Sequence, residues 1–152
     1  MIISFENNYI FVKSRKTSGT SMEIALASTC GPHDVITPLA TEDEFIRLEL
    51  YPDSLPRNYS RRADLEAGYN DATRARDTKT MKQLRDALLR DHAKVYNHAS
   101  AARARKLLEE RFWNRAHKFT IERHPYEKAV SLAWQRAGER PIAAALEALY
   151  EK

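Results

Sequence analysis

The chain has 152 residues, 43% of them apolar and 30% charged, which fits one domain with a real core and excludes disordered and fibrous classes. Its net charge of +4 is split unevenly, −2 over residues 1–76 and +6 over residues 77–152, a balance compatible with an anionic ligand and with nucleic acid alike. Cys30 is the single cysteine, which excludes an intrachain disulfide and a thiolate metal cluster; with no membrane-length apolar run and no secretory n-region, a soluble, cytoplasmic chain is expected.

In chain order, residues 2–5 predict a short extended arm and residues 9–12 (Tyr-Ile-Phe-Val) a β-strand. A polar loop over 13–20 leads into a helix from Ser21, capped by Thr20 or Ser21, with Met22, Ala25, Leu26 and Thr29 on one face. Residues 35–39 predict a short strand, and Thr41-Glu42-Asp43-Glu44 the acidic first turn of a helix. Residues 50–76 carry Pro52, Pro56, Gly68 and many charges with little periodicity, and read as a loop excursion within the single domain 1–152. A helix is expected over 79–92, an extended piece at 94–96, and a helix from a Ser100 cap through Arg111 with Leu107 and Leu108 inward. Residues 118–122 predict a second strand, followed by a helix with Pro125 in its first turn and a last, alanine-rich helix over 142–150. Trp113 and Trp134 are expected to be packing residues. The fold class is therefore α/β, a short parallel sheet flanked by helices.

Two strand-to-helix junctions stand out. The first, Lys-Ser-Arg-Lys-Thr-Ser-Gly-Thr-Ser over 13–21, offers helix-start N–H groups, the Lys16 ammonium and three hydroxyls to an anion. It is not a Walker A loop, because Lys16 precedes Gly19 and no glycine opens the loop, and no GxGxxG fingerprint is present. The second, Glu-Arg-His-Pro-Tyr-Glu-Lys-Ala-Val-Ser over 122–131, sets Arg123 just past a strand and Ser131 on the helix that follows. In an open parallel sheet both junctions lie at the carboxyl ends of strands, where ligands bind. From the residues alone, an ordinary basic turn and a surface Arg–carboxylate pair are the favoured readings of the two junctions.

Together the two junctions resemble the sulfotransferases that use 3'-phosphoadenosine 5'-phosphosulfate (PAPS), in the broad group related to glycan O-sulfotransferases and bacterial sulfotransferase-family proteins. The resemblance rests on Lys16-Thr17-Ser18-Gly19-Thr20-Ser21 and on Arg123-His124-Pro125-Tyr126-Glu127-Lys128-Ala129-Val130-Ser131, and extends to residues 30–38 and 94–136. It implies a P-loop-like sulfotransferase fold, truncated or minimal because the family normally continues beyond this point. It also implies a donor site made of Arg15, Lys16, Thr17, Ser18, Gly19, Thr20 and Ser21 for the phosphosulfate, with Arg123 and Ser131 for the 3'-phosphate. Two departures matter: His124 stands where asparagine is usual, and Glu122 replaces an apolar residue and would weaken donor binding if it pointed inward.

The implied reaction is sulfuryl transfer to a hydroxyl-bearing small molecule or glycan, with Lys16 catalytic in stabilising growing charge and His98 catalytic as base. His98 stands just before the Ser100 cap, and a histidine near its normal pKa accepts a proton at neutral pH. No metal is expected to be required, nucleic acid is an unlikely partner, and a homo-oligomer is open. Arg103 and Arg105 are candidates to meet an acidic acceptor. The alternatives are a catalytically inactive nucleotide-binding module and a basic, helical nucleic-acid-binding domain.

Overall fold

A computed structural model describes residues 1–137, with Pro141 and Ala143. Its centre is a four-stranded sheet in the order β3-β1-β2-β4. β1 (Ile2–Ser4) and β2 (Tyr9–Phe11) pair antiparallel, with Ile3 opposite Ile10. β3 (Val35–Ile36) pairs antiparallel with β1, and β4 (His117–Phe119) pairs parallel with β2. The sheet is thus mixed, and the expectation of a parallel sheet holds only for the β2–β4 pair. The physical reason is the four-residue connection between β1 and β2, which is too short for a crossover and closes a hairpin. Asn8 takes a left-handed conformation there (φ 55°). Buried Asp34 holds the turn by accepting from the Ser4 hydroxyl at 2.8 Å and the Phe5 amide at 2.6 Å.

Strand side chains alternate between two apolar layers. Ile3 and Ile10 join Val35, Tyr59, Tyr69, Met81 and Leu88 on one side, while Ile2, Phe11 and Ile36 meet Ala27 on the other. Helices therefore cover both faces, and the strands read as unbroken apolar runs for that reason. On the second face lies α1 (Gly19–Ala27), which starts earlier than its expected caps and buries Glu23, Ile24 and Ala27. Of the face expected inward, Met22 and Leu26 pack against this layer, whereas Ala25 and Thr29 are exposed. The inner face is shifted because Glu23 is drawn in by cations beneath it, as described below.

α2 (Thr41–Leu50) follows as expected. The segment 50–76 is not a loop throughout: α3 (Ala63–Arg74) occupies its second half and packs on α4 (Thr78–Ala87). Its inner face is Leu65, Tyr69 and Ala72, a helical spacing diluted in the sequence by charges and by Gly68, above which Leu84 packs. α4 is capped by Asp77, whose carboxylate accepts from the Thr80 amide at 3.1 Å, and runs into a π-helical turn over Leu88–His92. Ser100 caps α5 (Ala101–Arg105) as expected, but the helix stops there and a separate α6 (Glu110–Arg115) follows. The break lets Leu108 pack on the core and leaves Leu107 exposed. β4 is shorter than expected because residues 120–124 leave the sheet to reach α7 (Pro125–Ala137), which does begin at Pro125. Trp113 packs on the core, whereas Trp134 is 72% exposed, against expectation. The helix expected over 142–150 lies outside the described residues apart from Ala143.

Candidate functional site

The loop from β2 to α1 is held from below and open above. The Val12 amide donates to the Phe119 carbonyl at 2.9 Å, the last backbone bond before the chain leaves the sheet. Lys16 and Ser18 then adopt left-handed backbone angles (φ 60° and 61°), uncommon for residues with a Cβ. Ser18 is the N-cap of α1 and its side chain caps nothing, which leaves the opening N–H groups of the helix to an external partner. Thr17 is buried and braces the loop through Ser14, at 3.0 Å between the hydroxyls, and Ser14 donates to the Ile121 carbonyl at 2.9 Å. The β2–α1 loop is thereby tied to the strand exit that carries Arg123.

Gly19 is required by Lys13. A Cβ at Gly19 would lie 2.8 Å from Lys13 Cγ, so the lysine stem crosses where a side chain would stand. Lys13 Nζ reaches Thr20 Oγ1 at 2.8 Å and Glu23 Oε2 at 2.9 Å. Glu23 also receives the Met1 ammonium and the Thr37 hydroxyl. Burial pushes the Glu23 carboxyl up, but the Met1 ammonium and Lys13 outweigh it and hold the group below the ordinary carboxylate range. Lys13 is thus spent on an internal carboxylate. Because it donates to Thr20 Oγ1, it directs the Thr20 proton away from itself.

At the second junction Arg123 Nε donates to Glu127 at 2.9 Å, one helical turn on. Glu122, the departure that threatened the donor site, points outward. Its side chain is 62% exposed and is held by Lys128 Nζ at 2.8 Å and the Arg123 amide at 3.0 Å.

These parts meet around one cleft of about 720 Å³. Arg15, Lys16, Thr17, Ser18, Gly19 and Thr20 line it from the loop, Arg123 and Ser131 from the second junction, and His98 from the segment before α5. Of the residues expected at the donor site, Ser21 alone lies outside it, facing a second hollow between α1 and α2. Sequence reasoning missed Lys13, Asn97 and Asp43 on the walls, and Gln135 and Arg136 on α7. Gln135 follows Ser131 by four residues, so helical spacing was a usable signal for it. Lys13 opens the first junction and Asp43 lies in the acidic first turn of α2, but neither pattern pointed to the cleft, and nothing marked Asn97 or Arg136.

His98 Nδ1 lies 3.3 Å from the Lys13 carbonyl, which can only accept, so Nδ1 carries the proton and the lone pair is left on Nε2. Burial lowers the imidazole pKa; the Lys13 carbonyl raises it, and the charges of Lys13, Met1 and Arg15 lower it further, so the group is held below the ordinary histidine range and its neutral form is favoured. None of the other histidines lines this cleft. His117 stacks on Phe119 and His124 tilts against Tyr126. Arg103 bonds the Lys94 and Ala93 carbonyls and Arg105 lies over Trp113, so both have structural partners outside the cleft.

Among the described residues no three His, Cys, Asp or Glu side chains converge on a metal-sized site, and no helix is long and apolar enough to cross a membrane. No protein-family model, curated protein or solved structure matches the chain.

Proposed function

We propose that this protein binds 3'-phosphoadenosine 5'-phosphosulfate and transfers its sulfuryl group to a hydroxyl acceptor. One observation carries the reading: Lys16, His98, Arg123 and Ser131, far apart in sequence, line a single cleft into which the uncapped start of α1 opens. The donor is anionic at both ends and needs two cationic anchors. The α1 N–H groups, Lys16 and the Thr20 hydroxyl suit the phosphosulfate end, where helix-start donors and an ammonium favour an anion. Arg123 and Ser131 suit the 3'-phosphate, for which a guanidinium and a hydroxyl are matched donors. A cleft of about 720 Å³ has the size of a nucleotide-class site.

Chemistry then falls to two side chains. His98 Nε2 takes the proton of the acceptor hydroxyl as the acceptor oxygen bonds to sulfur. Lys16 neutralises the charge that grows on the bridging oxygen as its bond to sulfur breaks. The product nucleotide is 3'-phosphoadenosine 5'-phosphate. Calorimetric titration with that nucleotide, followed by transfer of labelled sulfate to alcohols, tests the reading. Saturable binding with turnover supports it. Binding without turnover for any acceptor would leave a nucleotide-binding module, and no binding would refute the donor site.

A further inference from the structure

We infer that the hollow between α1 and α2 is the acceptor pocket, and that it takes an alcohol with an apolar body in preference to a sugar; this rests on the donor reading above. The hollow measures about 270 Å³ and is walled by Ile24, Ile46, Leu50 and Tyr51. Thr20 and Asp43 border both it and the larger cleft, so the two spaces share that rim. Ile46 and Leu50 stand one helical turn apart on α2 and are 46% and 59% exposed, an apolar pair kept where a surface helix is normally polar.

At water's share of about 30 Å³, the hollow has room for roughly nine heavy-atom groups. Ile24, Ala25, Ile46, Leu50 and the Tyr51 ring make the lining mainly apolar, and the few polar groups beside them (Thr20, Ser21, Asp43) cannot pair every hydroxyl of a sugar ring, so the unpaired ones cost more than the burial returns. An alkyl or aryl body fits them and brings its own hydroxyl to the Thr20–Asp43 rim. There the hydroxyl enters the larger cleft past Thr20 and Asp43, with its single proton directed to His98 Nε2. The reaction is balanced as before: the alcohol oxygen bonds to sulfur, the sulfur to bridging-oxygen bond breaks with its electron pair leaving on the nucleotide, and the proton passes to His98.

The test uses the full chain in two measurements. First, 1-octanol is titrated into protein carrying labelled isoleucine methyl groups; Ile24 and Ile46 are expected to shift and Ile2, Ile3 and Ile10 to stay. Second, transfer from labelled donor is compared for primary alcohols from ethanol to decanol and for methyl glucoside. The account expects kcat/KM to rise about three- to fourfold per methylene and to level off near eight carbons, with methyl glucoside below butanol. Ile46→Asp should flatten that rise while the 3'-phosphoadenosine 5'-phosphate affinity stays unchanged. Nucleotide binding with no Ile24 or Ile46 shift, a preference for methyl glucoside, or an unaltered rise in Ile46→Asp would overturn the acceptor pocket and spare the donor site. Failure of the nucleotide to bind would overturn the donor reading and the acceptor role with it.

Discussion

Lys13 and Lys16 are three residues apart and do different work. Lys13 is buried against Glu23 and Thr20, whereas Lys16 lines the cleft from a left-handed backbone position. Lys16→Ala is therefore expected to lower the transfer rate about 100- to 1,000-fold with little change in thermal midpoint, as measured by single-turnover kinetics and melting. Lys13→Ala should instead lower the melting temperature, because it removes one of the two cations that hold the buried Glu23 carboxylate. Burial holds the His98 imidazole below the ordinary histidine range. Its base form is lost only as pH falls through that depressed value. The transfer rate should thus be flat from about pH 7 upward and fall on the acid side with an apparent pKa below the usual histidine value of about 6.5. His98→Asn should remove that acid limb from the kcat profile. A limb that persists in the variant would assign it to another group.

At the scale of elements, the two junctions were legible because each carries a motif whose residue types are dictated by local geometry. A strand-to-helix turn rich in hydroxyls and lysine is visible one residue at a time, and Pro125 marks a helix start by its missing N–H. What was not legible has identifiable causes. α3 was hidden because its inner face is only Leu65, Tyr69 and Ala72 among charges and Gly68. The inner face of α1 was legible only in part: Met22 and Leu26 pack as expected, but Lys13 and the Met1 ammonium bring in Glu23, a charge that hydropathy does not place inside. Gly19 was readable as a tight spot but not as the seat of the Lys13 stem, a contact between two elements of the same loop. Gly19→Ala tests this. With 2.8 Å from the new Cβ to Lys13 Cγ, the lysine must move. The expected cost is about 1–3 kcal/mol of overpacking, read by urea unfolding. Nucleotide affinity should weaken too, since Thr20 loses the donor that orients its hydroxyl.

For the whole molecule, the mixed sheet brings β2 and β4 side by side in parallel, and with them the two junctions that exit at the same end. The Ser14–Ile121 bond fastens one exit to the other, so the cleft is a consequence of the pairing. The basic second half does not present as a free nucleic-acid surface at several of its cations. Arg103, Arg105, Lys118 and Lys128 each have an internal partner. Acid stability follows from Glu23. Its folded pKa lies below the unfolded value, so its contribution is present above about pH 4.5 and is lost as pH falls through the depressed folded value. Glu23→Gln should accordingly flatten the acid side of the stability–pH curve. The central claim is that the two junctions grip the two ends of one donor. It is tested most directly by calorimetry of wild type and Arg123→Ala with 3'-phosphoadenosine 5'-phosphate and with adenosine 5'-phosphosulfate, which lacks the 3'-phosphate. The account predicts that wild type prefers the bisphosphate and that Arg123→Ala loses that preference by about ten- to hundredfold, while its affinity for adenosine 5'-phosphosulfate is kept. Equal weakening of both ligands, or no preference in wild type, would contradict it.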